Sequence, residues 1–322
     1  MEYHLNQAII HLLDSGASAP LLSEQPLVLD DENSDYLLGH IIKLHTGDDC
    51  KNCTFLPGSP FEEMLIREKE FVPMSQSAAQ MFFEQMMRYP EIPSGDLAVA
   101  DLTIDGKPFL AILKMNYRTA YLHDAGHPGL VSLVRQKTIL PSSTSKCDEA
   151  ILIQLDTGAV KLVEKRVEMD GGRDFYISTK LLNTSPAKTE KVKLQAVRDA
   201  ALHAVKEAYQ DDGKVETAVA NIIRAETSED ILPVQQVKAR LERDFPEAAS
   251  AFEEELIADD IRMEEQITVP PARIKKITSR TVKSHSGIEV KIPGDVFLSD
   301  ETVEFINNPD GSVSLLVKNV IL

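Results

Sequence analysis

The sequence predicts an α+β protein: an antiparallel sheet carrying helices, then a helical middle region, then a small C-terminal β module. Three observations predict it. Between Asp96 and Ser178, short apolar runs are punctuated by Asp105-Gly106, Gly158 and Gly171-Gly172, the pattern of hairpin-linked strands. From Lys188 to Gln210 the period becomes helical, with Val192, Ala196, Val197, Ala200, Ala204 and Val205 on one stripe. Near the end, Ile288, Val290 and Ile292 alternate with Glu289 and Lys291. Val303 and Phe305, then Val313, Leu315 and Val317, flank the turn Asn307-Asn308-Pro309-Asp310-Gly311.

Each element follows from local chemistry. Leu5 to Leu13 reads as a strand with His11 near its end, and Tyr36 to His45 has helical spacing in Tyr36, Leu37, Ile41 and Leu44. Phe61–Phe71 and Ser75–Tyr89 read as two helices divided at Pro73, with Ser75 as N-cap. Asp96–Thr103 and Phe109–Met115 pair around Asp105-Gly106. Ala150–Leu155, Val160–Val167 and Arg173–Ser178 add three strands. Pro233 and Pro246 divide the helical region, and Pro270-Pro271 marks Ile267–Ala272 as a linker or extended connection. The expected domains are residues 1–186, an α+β domain; 187–268, an acidic helical region; and 269–322, a basic lead-in with the β module.

A chain of 322 residues can bury at least one substantial core. No apolar run reaches the roughly 18 residues of a membrane span, so no membrane association is expected. The start, MEYHLNQAIIHLLDSG, has neither a basic n-region nor a small-residue cleavage site and reads as no signal peptide. Three cysteines do not make a disulfide framework, and a reducing cytoplasm suits them.

Net charge is −17, unevenly spread. Residues 1–63 carry −9 and residues 226–265 another −9; residues 64–225 balance at 21 of each sign, and residues 266–322 carry +1. Contact depends on local charge, so the balanced stretches can still present a basic face. Two do. Lys107 to Lys146 holds Lys107, Lys114, Arg118, Arg135, Lys137 and Lys146 against Asp124 alone, interleaved with Tyr117, Tyr121 and His123. Such cations neutralise phosphates and release counterions without reading sequence. The other reading is a solvated hairpin edge, where lysines discourage edge pairing. Arg273, Lys275, Lys276, Arg280 and Lys283 form the second stretch, RIKKITSRTVK. If extended, its alternate cations reach one side of a phosphate backbone; the other reading is a linker packed on an acidic face such as Glu253–Asp260.

Other motifs point to plain structure. Cys50 and Cys53 supply half of a tetrahedral zinc site, with Cys147 far off in sequence, and read as a surface loop. His123 and His127 have metal-ligand spacing, but Ala125-Gly126 and Pro128-Gly129 oppose a helix, and Asp124 stands where H-E-x-x-H needs Glu; a loop with two ordinary histidines is expected. Gly171-Gly172 precedes Arg173, so it is a turn and not a phosphate loop; PSSTSK offers serines without a base. No catalytic residue, metal or cofactor is called. In Glu226–Glu265, Phe252, Leu256 and Ile261 make an apolar stripe beside Glu253, Glu254, Glu255, Asp259 and Asp260: a helix packed on its own domain, or a surface for a basic protein.

Three segments also carry a likeness: HLNQAIIHLLD at the start, FVPMSQSAAQMFFEQMMRYPEIPSGDLAVADLTIDGKPFLAILKMN in the middle, and GIEVKIP, FLSDETVEFINNPDG and SVSLLVKN at the end. In pattern and order they resemble the bacterial nucleoid-associated protein family of the NdpA/YejK type. The resemblance implies a non-enzymatic protein of the nucleoid that binds double-stranded DNA. Lys107, Lys114, Arg118, Arg135 and Lys137 are then the first expected contacts, and Arg273, Lys275, Lys276, Arg280 and Lys283 the second. Self-association would pair two modest basic faces on one duplex. The alternative is a protein-interaction module whose acidic helices bind a basic partner. A hydrolase or nuclease lacks a recognisable carboxylate–metal constellation.

Overall fold

Period-two alternation in four long strands builds one sheet buried on both faces. A computed structural model describes residues 1–127, 130–185, 187–209, 212–278, 280–283, 286–292, 303–308 and 313–318. It divides into two units, Met1–Thr189 and Glu190–Leu322.

The first unit runs β1 (Tyr3–Leu13), α1 (Asp31–Thr46), β2 (Lys51–Thr54), α2 (Pro60–Arg67), α3 (Phe71–Arg88), β3 (Gly95–Ile104), β4 (Lys107–Asn116), β5 (Arg118–His127), β6 (Leu130–Ile139), β7 (Glu149–Gln154), β8 (Ala159–Val163), β9 (Arg166–Met169) and β10 (Gly172–Phe175). Six strands form an antiparallel sheet in the order β1-β3-β4-β7-β8-β2. Odd and even residues serve different cores. Leu97, Val99, Leu110, Ile112, Ile151 and Ile153 pack with Phe61, Phe82 and Met86 of α2 and α3. Ala98, Ala100, Ala111, Leu113 and Leu152 pack with Leu37, Ile41 and Leu44 of α1. Burying each such large side chain contributes roughly 1.5–3 kcal/mol.

Turns and caps fall where the chemistry demands them. Asp105 and Gly106 both have positive φ, +47° and +78°, as a tight two-residue hairpin turn requires. At Gly95 a Cβ would sit 2.5 Å from the Met115 carbonyl, so only glycine lets β3 and β4 approach there. Asp30 caps α1 by accepting from Asn33 N at 2.7 Å, and Ser59 caps α2 by accepting from Glu62 N at 3.1 Å.

The structure redraws several expected elements. Pro73 lies inside the first turn of α3, where its missing N–H would have no helical partner anyway. Ser75 is therefore not an N-cap. Its hydroxyl donates to Val72 O at 2.7 Å and meets His11 Nε2 at 3.1 Å. The C-x-x-C is not a surface loop: Cys50 and Cys53 are buried in different cores, Cys53 on β2. Residues 118–127 are strand and not loop. His127 ends that strand, and Pro128-Gly129 lies outside the described residues.

The second unit holds α4 (Glu190–Tyr209), α5 (Asp212–Glu226), β11 (Ile231–Pro233), α6 (Val234–Asp244), α7 (Ala249–Ala258), β12 (Gln266–Thr268), α8 (Pro271–Thr278), β13 (Arg280–Lys283), β14 (Glu289–Ile292), β15 (Val303–Asn307) and β16 (Val313–Val317). Its core joins Leu194, Val197 and Ala201 of α4 to Ile223, Val237, Leu241, Phe252 and Leu256. Phe252, Leu256 and Ile261 all point inward, so the acidic stretch is a helix packed on its own unit. Part of the expected linker is β12, paired with β11. The basic lead-in is not extended throughout: α8 seats Ile274 and Ile277 against the same helical core. β13 pairs with β14 and β15 with β16; of the expected turn, Pro309-Asp310-Gly311 lies outside the described residues.

His11 ties three elements of the first unit together. It is fully buried; besides Ser75, its Nδ1 accepts from Ser23 N at 3.1 Å, which fixes the neutral tautomer. Burial pushes its pKa down to about 4, and burial beside Lys161 does the same to His45. The unfolded chain therefore binds protons between about pH 6.5 and 4 that the folded chain refuses. Stability is complete above pH 6.5 and falls as pH drops, by up to ~1.4 kcal/mol per pH unit for each histidine. Urea midpoints from pH 7.5 to 5 should decline. His11→Gln should start lower and show a shallower decline; an unchanged slope would exclude His11 as a source.

Candidate nucleic-acid interface

The sheet leaves one hairpin uncovered. β5 and β6, ten residues each, pair only with each other. A two-stranded ribbon has no core of its own, so its side chains stay in solvent. Tyr121 is 66% exposed and Leu133 75%. Leu122, Val131 and Val134 are exposed too, as are Arg118, Arg135 and Lys137.

Register sorts these residues by face. Tyr121 opposes Arg135 and His123 opposes Leu133, which puts all four on one side of the ribbon. Lys137 lies where the register shifts between Gln136 and Ile139, so alternation does not assign it to a face. Leu122 opposes Val134 on the other side. One face thus carries Tyr121, His123 and Arg135; the other sets the apolar pair Leu122–Val134 between Ala120–Gln136 and Asp124–Ser132.

The ribbon is anchored at its base. Tyr117 N donates to Ser94 O at 3.1 Å, and its hydroxyl donates to Asp96 Oδ1 at 2.5 Å. Arg118 lies 3.8 Å from Asp148, which also pairs with Lys165 at 3.0 Å. A pair half in water holds Arg118 only weakly and leaves it able to exchange partners.

Lys114 must be removed from the expected contacts. It is 1% exposed, its Nζ donating to Pro93 O at 2.7 Å and to Asn116 Oδ1, 3.2 Å from Glu149 Oε2. Asn116 Nδ2 donates to the same Glu149 oxygen at 3.1 Å. Desolvation lowers the Lys114 pKa, and Glu149 opposes that shift. An ammonium enclosed this way cannot reach a phosphate. Sequence reasoning missed this because a lysine at the end of an apolar strand looks like a surface residue; its cross-strand partner Glu149 appears only with the register.

The remaining candidates scatter. Lys107 is exposed at the far end of β4 from Arg118, roughly 30 Å away by strand rise. Lys146 is ion-paired with Asp49. In the second unit Lys275 and Lys276 are exposed on α8, with Arg273 half-buried there. Lys283, on β13, pairs with Glu289 at 2.8 Å; the backbone of Arg280 pairs with that of Ile292. Among the described residues no three His, Cys, Asp or Glu side chains are arranged to hold a metal, and no helix is long and apolar enough to cross a membrane.

The model of one family, described as nucleoid-associated protein YejK, matches residues 9–321. The chain belongs to that family. No curated protein matches it. The match runs through both units.

Lys114→Ala would strand Glu149 in the core and should cost about 3–5 kcal/mol in urea unfolding. Arg135→Ala should stay within about 0.5 kcal/mol. Equal effects would contradict this division between core and surface.

Proposed function

We propose that the chain is a non-enzymatic DNA-binding protein of the nucleoid that holds duplex DNA mainly through phosphates, with little base preference, and that the β5–β6 ribbon makes the contact. Membership of the nucleoid-associated family supports the ligand. The observation that carries the mode is the free-standing ribbon, with Arg135 and Tyr121 on one face, Lys137 exposed on β6 and Arg118 at its base. A two-stranded ribbon fits the major groove of B-DNA, and flanking cations then meet phosphates on either side. A chain of charge −17 is repelled by DNA at long range, so a projecting contact suits it better than a flat one. The apolar pair Leu122 and Val134 on the opposite face supports self-association of two ribbons, which would double the phosphate contacts.

A second reading rests on α7. Ile257 is 68% exposed beside Glu254, Asp259 and Asp260, a surface suited to a basic protein. DNA association would then be indirect.

Purified protein titrated against labelled duplex over a salt series separates the two readings. Arg118→Gln/Arg135→Gln/Lys137→Gln should weaken binding about tenfold near 0.1 M salt and lower the log–log salt slope by about 2–3. Absence of binding by the wild type at low salt would leave the indirect reading; an unchanged slope in the variant would remove the ribbon from the contact.

A further inference from the structure

The second unit carries 17 cations against 25 acids, and most of its described ion pairs tie a cation to a nearby acid. Lys193 meets Glu265 at 2.6 Å, Lys238 meets Glu253 at 2.6 Å, and Arg240 meets Asp244 at 2.5 Å. Against that background one place stands out. Helical spacing sets Lys191 and Arg198, seven apart, on one flank of α4, while Leu194, Val197 and Ala201 enter the core. On α8, Ile274 and Ile277 enter the same core, and Arg273 and Lys276, three apart, line the side toward α4.

The four cations share a cleft of 580 Å³ with two acids, Asp199 and Asp259. Asp199 is engaged by Gln195 Nε2, at 2.8 and 2.9 Å from its two oxygens. Lys191, Arg198 and Lys276 make no ion pair among the described residues. Three cations left without a carboxylate in so acidic a unit, converging on a concave surface, are suited to an anion from outside. The four cations of the lining exceed its two acids by two, the charge of two phosphodiester groups.

We propose that the α4–α8 cleft is a phosphate site that takes two or more linked phosphates, either of a nucleic-acid backbone or of a free polyphosphate. Lys191 and Lys276 contribute charge from the rim, where their long stems let the ammonium follow the ligand. Arg198 and Arg273, both half-buried, contribute planar forks for phosphate oxygens. The site is separate from the ribbon and stands whether or not the ribbon touches DNA; if both bind DNA, a single chain holds two contacts.

The test uses the full chain in four forms: wild type, Lys191→Gln/Arg198→Gln/Lys276→Gln, the ribbon triple variant, and both together. All three cleft substitutions are outside the core, and unchanged circular dichroism and melting would establish folding. Labelled duplex is titrated over a salt series, and inorganic tripolyphosphate is titrated by calorimetry. The cleft variant should lose tripolyphosphate binding and weaken duplex binding about tenfold, with a salt slope smaller by about 2–3, in the presence or absence of the ribbon cations. Lys191→Arg/Lys276→Arg should retain both. Loss of tripolyphosphate binding with unchanged duplex affinity supports the site and identifies a free polyphosphate as its ligand. A folded cleft variant that binds duplex and tripolyphosphate like the wild type overturns the proposal, while an inert ribbon variant bears only on the ribbon.

Discussion

The sheet of the first unit depends on the buried pair of Lys114 and Glu149. These residues face each other across β4 and β7, near the end of β4 that leads into the ribbon. An ion pair in a core costs desolvation on both sides and is tolerated only when its remaining hydrogen bonds are filled. Here Pro93 O and the Asn116 amide fill them. Register follows: a one-residue slip of β4 against β7 would bury each charge alone and turn Ile112 and Leu113 to the wrong cores. The pair thus specifies where β4 ends, and with it where the chain leaves the sheet.

That exit has consequences. With α2 and α3 on one face and α1 on the other, no layer remains for β5 and β6. The ribbon is held through Tyr117 and Arg118, so its geometry comes from the rigid sheet beneath it. A ribbon placed this way needs no core, and its side chains stay in solvent. Tyr121 and Leu133 at high exposure are otherwise a liability, since exposed strands with apolar side chains invite aggregation; Arg135 and Lys137 are the kind of charge that restrains it.

The α+β class, the long strands and the helical middle region were legible because alternation and helical period report burial directly. Asp105-Gly106 was legible because positive φ leaves few residue choices. What escaped were features set by partners distant in sequence. Residues 118–139 lack clean alternation because neither face is buried, so nothing selects apolar residues at every second position. Cys50 and Cys53 read as a loop because burial in two different cores leaves no periodic trace in four residues. Lys114 and Lys276 look alike in sequence, yet one is enclosed by Glu149 and the other is exposed. The signal for Lys191 and Arg198 was present as a seven-residue spacing on a helix, but it acquires meaning only when α8 lies alongside.

Charge segregation connects these observations. Under the proposed function, a protein of charge −17 approaching DNA gains from long-range repulsion as well as from local attraction. Repulsion weakens encounters made by any surface other than the basic one, and it lets salt act in both directions: screening reduces the repulsion of the body while it also weakens phosphate contact. Pairing Lys193, Lys238, Arg240, Arg243 and Arg262 of the second unit with neighbouring acids reduces the number of stray basic spots open to a polyanion. Lys191, Arg198 and Lys276 of the α4–α8 cleft and the exposed cations of the ribbon then stand out by contrast, and the acidic body becomes part of how those few positions are selected.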